Sequence, residues 1–181
     1  MQNSLFSTPR FFLFLIAFVT TSALGAAYIG EYFFELKPCV LCLYQRYIFM
    51  VTLATALLGT CLSNAQKQIS VIFISALLFF ANFGTATYQV LVEKKILTLP
   101  ALCRGIEINT QTQTFAQFQQ NLAKAGNHIP CDQISFELFG ISMAGYNALF
   151  TLLSALACLV IAMMLYAPLS QQKKAPCHDA E

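Results

Sequence analysis

Residues 138–172 read LFGISMAGYNALFTLLSALACLVIAMMLYAPLSQQ, 35 consecutive positions without a charged side chain. A hydrocarbon core about 30 Å thick is crossed by roughly 20 apolar residues in a helix rising 1.5 Å per residue, so this stretch holds a full span with residues left over. Working outward, three more uncharged intervals lie between Arg10 and Glu31, Arg46 and Lys67, and Lys67 and Glu93, and they hold 20, 20 and 25 residues. Four spans are expected, near 11–30, 43–62, 70–92 and 141–167. Lipid leaves no water for backbone groups, so each span must satisfy its own hydrogen bonds, which favours helices. A fifth uncharged interval, 108–123, contains NTQTQTFAQFQQNLA and is too polar for lipid. The expectation is an all-α membrane protein: one integral domain over 1–181, a four-transmembrane-helix bundle with a long loop at about 93–140 between helices 3 and 4.

Composition agrees. Of 181 residues, 57% are hydrophobic and only 10% charged, too apolar a chain for a soluble domain of this length. Ten Lys and Arg against eight Asp and Glu leave a formal charge of +2, no excess for gripping a nucleic-acid backbone. Nucleic-acid binding is therefore not expected, and the lipid bilayer is the natural partner. With four spans, both tails share one side. Arg10, Lys67, Lys173 and Lys174 lie there, whereas the opposite charges fall mostly in one long loop, which counts less in setting orientation, so tails-inside is favoured. Arg10, an apolar run and the small residues Ala23 to Ala27 also have the layout of a signal peptide, but the apolar stretch continues through Tyr28 and Ile29 and reads better as a span. Within the Gln-rich stretch 111–120 and just beyond it, Phe115, Phe118 and Leu122 recur at helical spacing, which fits either a short surface helix or a loop packed on the bundle.

Seven cysteines carry most of the reactive chemistry, since there are two histidines, His128 and His178, and no tryptophan. Cys39 and Cys42 stand in KPCVLC at the head of the second span, and Cys103 and Cys131 bracket the long loop. Cys61 and Cys158 fall in apolar spans, where cysteine behaves as a small hydrophobe. Cys177 sits in the tail beside His178. Pro38 suits a first helical turn, a spacing of three puts the Cys39 and Cys42 sulfurs on one face, and the free N–H groups of a helix start favour thiolate. That describes a redox pair, with a static disulfide or a zinc site as the alternatives. Cys103 and Cys131 in an oxidising compartment form a disulfide that closes the loop, and spacing leaves open whether it is a staple or an exchange partner. Surface access leans toward exchange.

Arg46 follows Cys42 by four positions, about one turn deeper on nearly the same face and roughly 6 Å along the axis. A cation costs on the order of 2.5–3.5 kcal/mol at the centre of a membrane helix, less near its ends, so it marks a functional site unless it snorkels to headgroups. A guanidinium here stabilises a Cys42 thiolate and donates to the oxygen of an electron acceptor, and a zinc site gains nothing from it. CVLCL lacks the histidine of a haem-attachment motif, and no glycine-rich dinucleotide fingerprint is present. By elimination the acceptor is small and lipid-soluble, and a membrane quinone meeting Cys42 and Arg46 fits.

The run KPCVLCLYQR, the loop cysteines Cys103 and Cys131, and FGISMAGYN ahead of the last span together resemble the disulfide bond formation protein B family, DsbB, over nearly the whole chain. The resemblance implies a thiol:disulfide oxidoreductase of the bacterial inner membrane. Both termini would be cytoplasmic, and both cysteine pairs and the long loop periplasmic. It implies ubiquinone or menaquinone as cofactor and a DsbA-like periplasmic thioredoxin-fold protein as partner. Carried over, Cys103 and Cys131 form the disulfide that the reduced partner attacks, at Cys103, through a mixed disulfide. Cys39 and Cys42 reoxidise them, and Cys42 with Arg46 meets the quinone. Several positions depart from the family pattern. Phe136 and Tyr146 stand where tryptophans are common, Gln45 where an acid is common and Gln89 where a histidine is common, which bears on quinone preference and rate rather than on the reaction. The competing readings are a vitamin K epoxide reductase-like enzyme, whose active pair is expected later in its bundle, and a non-catalytic scaffold with structural disulfides, which leaves Arg46 unexplained.

Overall fold

The computed structural model describes residues 8–98, 131 and 137–172, with side chains described as far as residue 167. The Gln-rich stretch, Cys103, Cys177, Phe136 and both histidines lie outside the described residues. Four helices are long and apolar enough to cross a membrane: α1 (Pro9–Phe33), α2 (Val40–Thr60), α3 (Ala65–Glu93) and α4 (Met143–Gln172). The chain is a multi-pass membrane protein.

Helices α1 and α3 run past both ends of their expected spans, whereas α2 is shifted toward its N-terminus and α4 toward its C-terminus, and local chemistry explains several of these ends. Pro9 takes the first position of α1, where its missing N–H costs nothing. Cys39 is the N-cap of α2, so the helix opens three residues earlier than expected, and Pro38 precedes the cap instead of entering the first turn. Asn64 caps α3 by accepting from the Gln66 N–H at 2.9 Å, which draws Lys67 and Gln68 into helix that the uncharged-interval reading had assigned to a connector. The other end of α3 closes with Lys95 in the left-handed region (φ 58°), while Ile96 N–H donates to Leu91 O at 2.9 Å. The helix α4 continues through Pro168 to Gln172, past its expected end at 167. Ahead of α4 lies a small antiparallel ribbon that sequence alone did not anticipate, β1 (Glu137–Leu138) and β2 (Ile141–Ser142). Phe139 and Gly140 turn it, both with positive φ (52° and 77°), the backbone of a two-residue hairpin.

Helix α3 packs most extensively on α4, and α2 packs on both α1 and α3. Lipid supplies no hydrophobic drive between helices, so close van der Waals packing must hold them, and small residues serve it. Ala17, Ala56, Ala76, Ala155 and Ala162 are buried among Leu13, Ile16, Ile72 and Phe79. The buried hydroxyls of Thr20, Thr52, Ser75 and Thr151 each bond a carbonyl of their own helix, at 2.6–3.0 Å, and need nothing from a neighbour. Phe14, Leu58, Leu153 and Met164 face outward, as a lipid-facing surface requires. Because α4 rests chiefly on α3, it stands off from α1 and the first half of α2, and a cavity of about 600 Å³ fills the gap.

Candidate functional site

The site is built where α2 begins. The Cys39 sulfur accepts from the Cys42 backbone N–H at 3.2 Å, satisfying one of the free donors of the first turn and drawing the two sulfurs to 2.7 Å. Cys39 is buried (3% exposed), whereas Cys42 is half-buried and lines the cavity. The hydrogen bond to the Cys42 sulfur, followed by burial, raises the Cys39 thiol above the ordinary range. The Cys42 N–H does favour thiolate at Cys39, but the neighbouring sulfur and loss of water outweigh it.

Cys131 comes down beside this pair. It is 1% exposed and packs with Cys39 and Val92, rimmed by Val40, Leu41 and Tyr88. Three of the four cysteines singled out in the sequence therefore share one end of the bundle, all as free thiols, in the order Cys131 and Cys39 buried, then Cys42 at the cavity wall. The fourth, Cys103, is outside the described residues. Cys158 is buried in the apolar core, as its place in an apolar span predicts, whereas Cys61 is the exposed C-cap at the opposite end of α2 and lies just past the span expected to hold it, because that helix ends at Thr60.

Arg46 does not snorkel. Its side chain is only 13% exposed and lines the same cavity as Cys42. One guanidinium nitrogen donates to Glu31 Oε2 and another to Ala27 O at 3.1 Å, while the guanidinium carbon lies 5.1 Å from the Tyr28 ring centroid. Three groups from α1 thus offset the cost of placing a cation in a membrane helix. Sequence reasoning missed Glu31 as a site residue and treated it only as the end of a span. The signal available was its position: the first acid after a 20-residue neutral run, placed to meet the one cation of the next helix.

A second polar group spans α2, α3 and α4; the sequence marks Gln45 and Gln89 only as departures from the family pattern and gives no sign of Asn147. Asn147 Nδ2 donates to Gln45 Oε1 at 2.7 Å, and Gln45 Nε2 to Gln89 Oε1 at 2.9 Å. Gln89 Nε2 donates to Glu93 Oε1 at 3.1 Å and lies 3.4 Å from the Cys42 sulfur. Tyr146, at the other departure inside the described residues, donates its hydroxyl to Leu138 O at 3.0 Å and ties the ribbon to α4.

Toward α1 and the bundle interior the cavity becomes apolar, with Phe18, Ala23, Phe49 and Phe150 on its wall. Phe49 is wedged against both Phe79 and Phe150, at 6.3 Å between ring centroids in each case. Phe18 is 71% exposed on the outer surface of α1, so the cavity reaches the lipid there. The site is a polar end with a sulfur and a guanidinium, continuous with an apolar end.

A family model for the disulfide bond formation protein DsbB matches residues 9–161. The chain belongs to the DsbB family. All four long helices fall within or overlap the match, and so do the loop cysteines. The chain is also similar to an uncharacterized protein of Rickettsia prowazekii (strain Madrid E), 26% identical over 163 residues that cover 85% of this chain and 86% of that protein. No solved structure matches it. Family membership makes this a disulfide-forming protein of the membrane, and a cysteine pair at a helix head is the part of the structure suited to that chemistry.

Proposed function

We propose that the protein reoxidises a DsbA-like periplasmic thioredoxin-fold dithiol and passes the electrons to a membrane quinone, ubiquinone or menaquinone, at the cavity beside Cys42. The observation that carries this reading is the shared cavity. Cys42 and Arg46 line one end of a volume of about 600 Å³ whose other end is apolar and reaches lipid at Phe18. That volume lies within the roughly 300–1,000 Å³ typical of small-molecule sites. A polar head with an apolar tail is the shape such residues accommodate. Arg46 and Cys42 would hold the head, with Phe18, Phe49 and Phe150 along the tail.

The relay balances as two exchanges and one oxidation. The partner's dithiol attacks the Cys103–Cys131 disulfide at Cys103 and leaves as a disulfide, so that Cys103 and Cys131 become thiols. Cys131 then attacks the Cys39–Cys42 disulfide at Cys39, the sulfur it packs against, and Cys42 leaves as thiolate. Cys103 displaces Cys39, which restores the loop disulfide and leaves Cys39 as a thiol. Rejoining Cys39 to Cys42 releases two electrons, which a bound quinone is able to accept together with two protons. Burial of Cys39 and Cys131 excludes water and stray thiols from the exchange. Arg46, held against α1 by Glu31, directs its donors into the cavity wall. On this reading the cysteine end of the bundle faces the periplasm of the inner membrane and both termini face the cytoplasm. The tail and connector charges support that orientation.

The test follows quinone absorbance with purified protein, ubiquinone or menaquinone, and a reduced DsbA-like protein. Quinone consumed in step with partner oxidation, and abolished by Cys42→Ser, supports the relay. No consumption by the wild-type protein with both cysteine pairs intact rejects it.

A further inference from the structure

The buried amides beside Cys42 have only one way to be arranged. Glu93 presents a carboxylate to the Gln89 side chain, and a carboxylate only accepts hydrogen bonds, so Gln89 must turn its NH₂ toward it. Gln89 Oε1 is thereby left for Gln45, which must donate with Nε2 and accept from Asn147 with Oε1. Direction is set at Glu93 and carried across three helices. An amide nitrogen has two hydrogens. With one committed to Glu93, the other is left for the Cys42 sulfur at 3.4 Å. Gln89 Oε1 also lies 3.7 Å from that sulfur and accepts from it while it is a thiol. One fixed amide therefore serves both states of the sulfur without moving.

The packing energy of such a chain is small. Interhelical side-chain hydrogen bonds in membranes average only about 0.6 kcal/mol. Two buried glutamines, each 5% exposed, are a costly way to join helices that alanines join elsewhere. We propose that Gln89 is the hydrogen-bond donor to the charged Cys42 sulfur, and that Glu93, Gln45 and Asn147 are positioning residues that fix which end of its amide meets the sulfur. This rests on the reading of Cys42 as the reacting sulfur. Amides do not ionise near neutral pH, so the array stabilises charge at Cys42 without carrying a proton. Among the described residues, the charged or ionisable groups around Cys42 are Arg46 on its own helix, Glu31, Lys37 and Tyr146 on the wall of the same cavity, Glu93 behind Gln89 on α3, and the thiol of Cys39 beside it, with Cys131 behind Cys39.

The test is the reduction equilibrium of the Cys39–Cys42 pair against glutathione. The full chain carries Cys103→Ser and Cys131→Ser, and free thiols are trapped by a mass-adding maleimide. Neither quinone nor partner takes part, so its outcome is independent of whether the electrons go to quinone. Losing a hydrogen bond to a charged group should favour the disulfide by about tenfold in Gln89→Leu, a potential about 30 mV more negative. Gln89→Glu, which keeps the size, should shift the same way. Glu93→Gln frees the amide to turn and should favour the disulfide about threefold, with no added effect in the Gln89→Leu background. Were Glu93 acting only through its charge, its removal would favour the dithiol instead. An equilibrium within twofold of the parent in both Gln89 variants overturns the proposal, as does a shift toward dithiol in Glu93→Gln. Should Gln89→Leu fail to fold, the two size-conserving variants decide.

Discussion

The two halves of the bundle treat polar groups differently. In the half away from Cys39, Cys42 and Cys131, Leu13, Ala56, Ile69 and Ile72 close the core, and Gly59 lets α2 approach α3 so nearly that an added Cβ would meet Val71 Cγ1 at 2.8 Å. Leu62 O, in the α2–α3 connector, takes bonds from Gln68 and from Arg10 at 3.4 Å, which seals that end. Buried hydroxyls in the apolar core bond their own helices, so they do not hold neighbours at a distance. At the cysteine end, side chains with longer reach bond across helices instead: Arg46 to α1, Asn147 to Gln45, Gln45 to Gln89. Long polar side chains that meet partway span a gap that direct packing would close, and the cavity is that gap. The same bundle is a tight fastening at one end and a framed opening at the other.

That contrast can be broken one half at a time. The largest effect belongs to Cys42→Ser, expected to reduce quinone turnover to background while leaving the thermal midpoint in detergent within a degree or two, since Cys42 is at the cavity wall and not in the core. Arg46→Ala comes next. Loss of charged hydrogen bonds at about 1.5–3 kcal/mol corresponds to a roughly 10- to 100-fold drop in quinone turnover, with KM for quinone raised. It also leaves Glu31 without its cation, so a double variant Glu31→Gln, Arg46→Ala should be more stable than Arg46→Ala alone, which a melting curve reads directly. Gly59→Ala should cost about 1–3 kcal/mol through overpacking against Val71 and Leu13, lowering the melting midpoint without changing turnover per folded molecule. Smallest is the effect of Cys61→Ala and Cys158→Ala, expected to leave turnover within twofold. A larger loss would show that the closed half contributes a thiol to the relay.

Much of this was legible from charge placement alone. Uncharged intervals give four helices and nearly their positions, because a single charge in lipid is costly enough to mark each boundary. The clearest difference is at α3. Lys67 suggests a boundary, yet a cap at Asn64 starts the helix before it, and capping is decided by one side chain that hydropathy does not weigh. At the site, spacing gave Cys39, Cys42 and Arg46 their common end, since all three lie within two turns of one helix. Partners from other helices are harder to read. Glu31, 15 residues from Arg46, offers only its place as the first acid after a neutral run, and Asn147, 102 residues from Gln45, offers no local signal. The approach of Cys131 to Cys39 follows from the family resemblance and from nothing local in the sequence.

Phe18 at the mouth of the cavity has a kinetic consequence. A site that fills sideways from the bilayer samples its acceptor by two-dimensional diffusion, so the relevant concentration is the mole fraction of quinone among lipids and not its molarity in the tube. On the proposed reaction, doubling inert lipid around a fixed amount of protein and quinone should lower the rate below saturation, whereas doubling the buffer volume, with the partner concentration held constant, should leave the rate per protein unchanged.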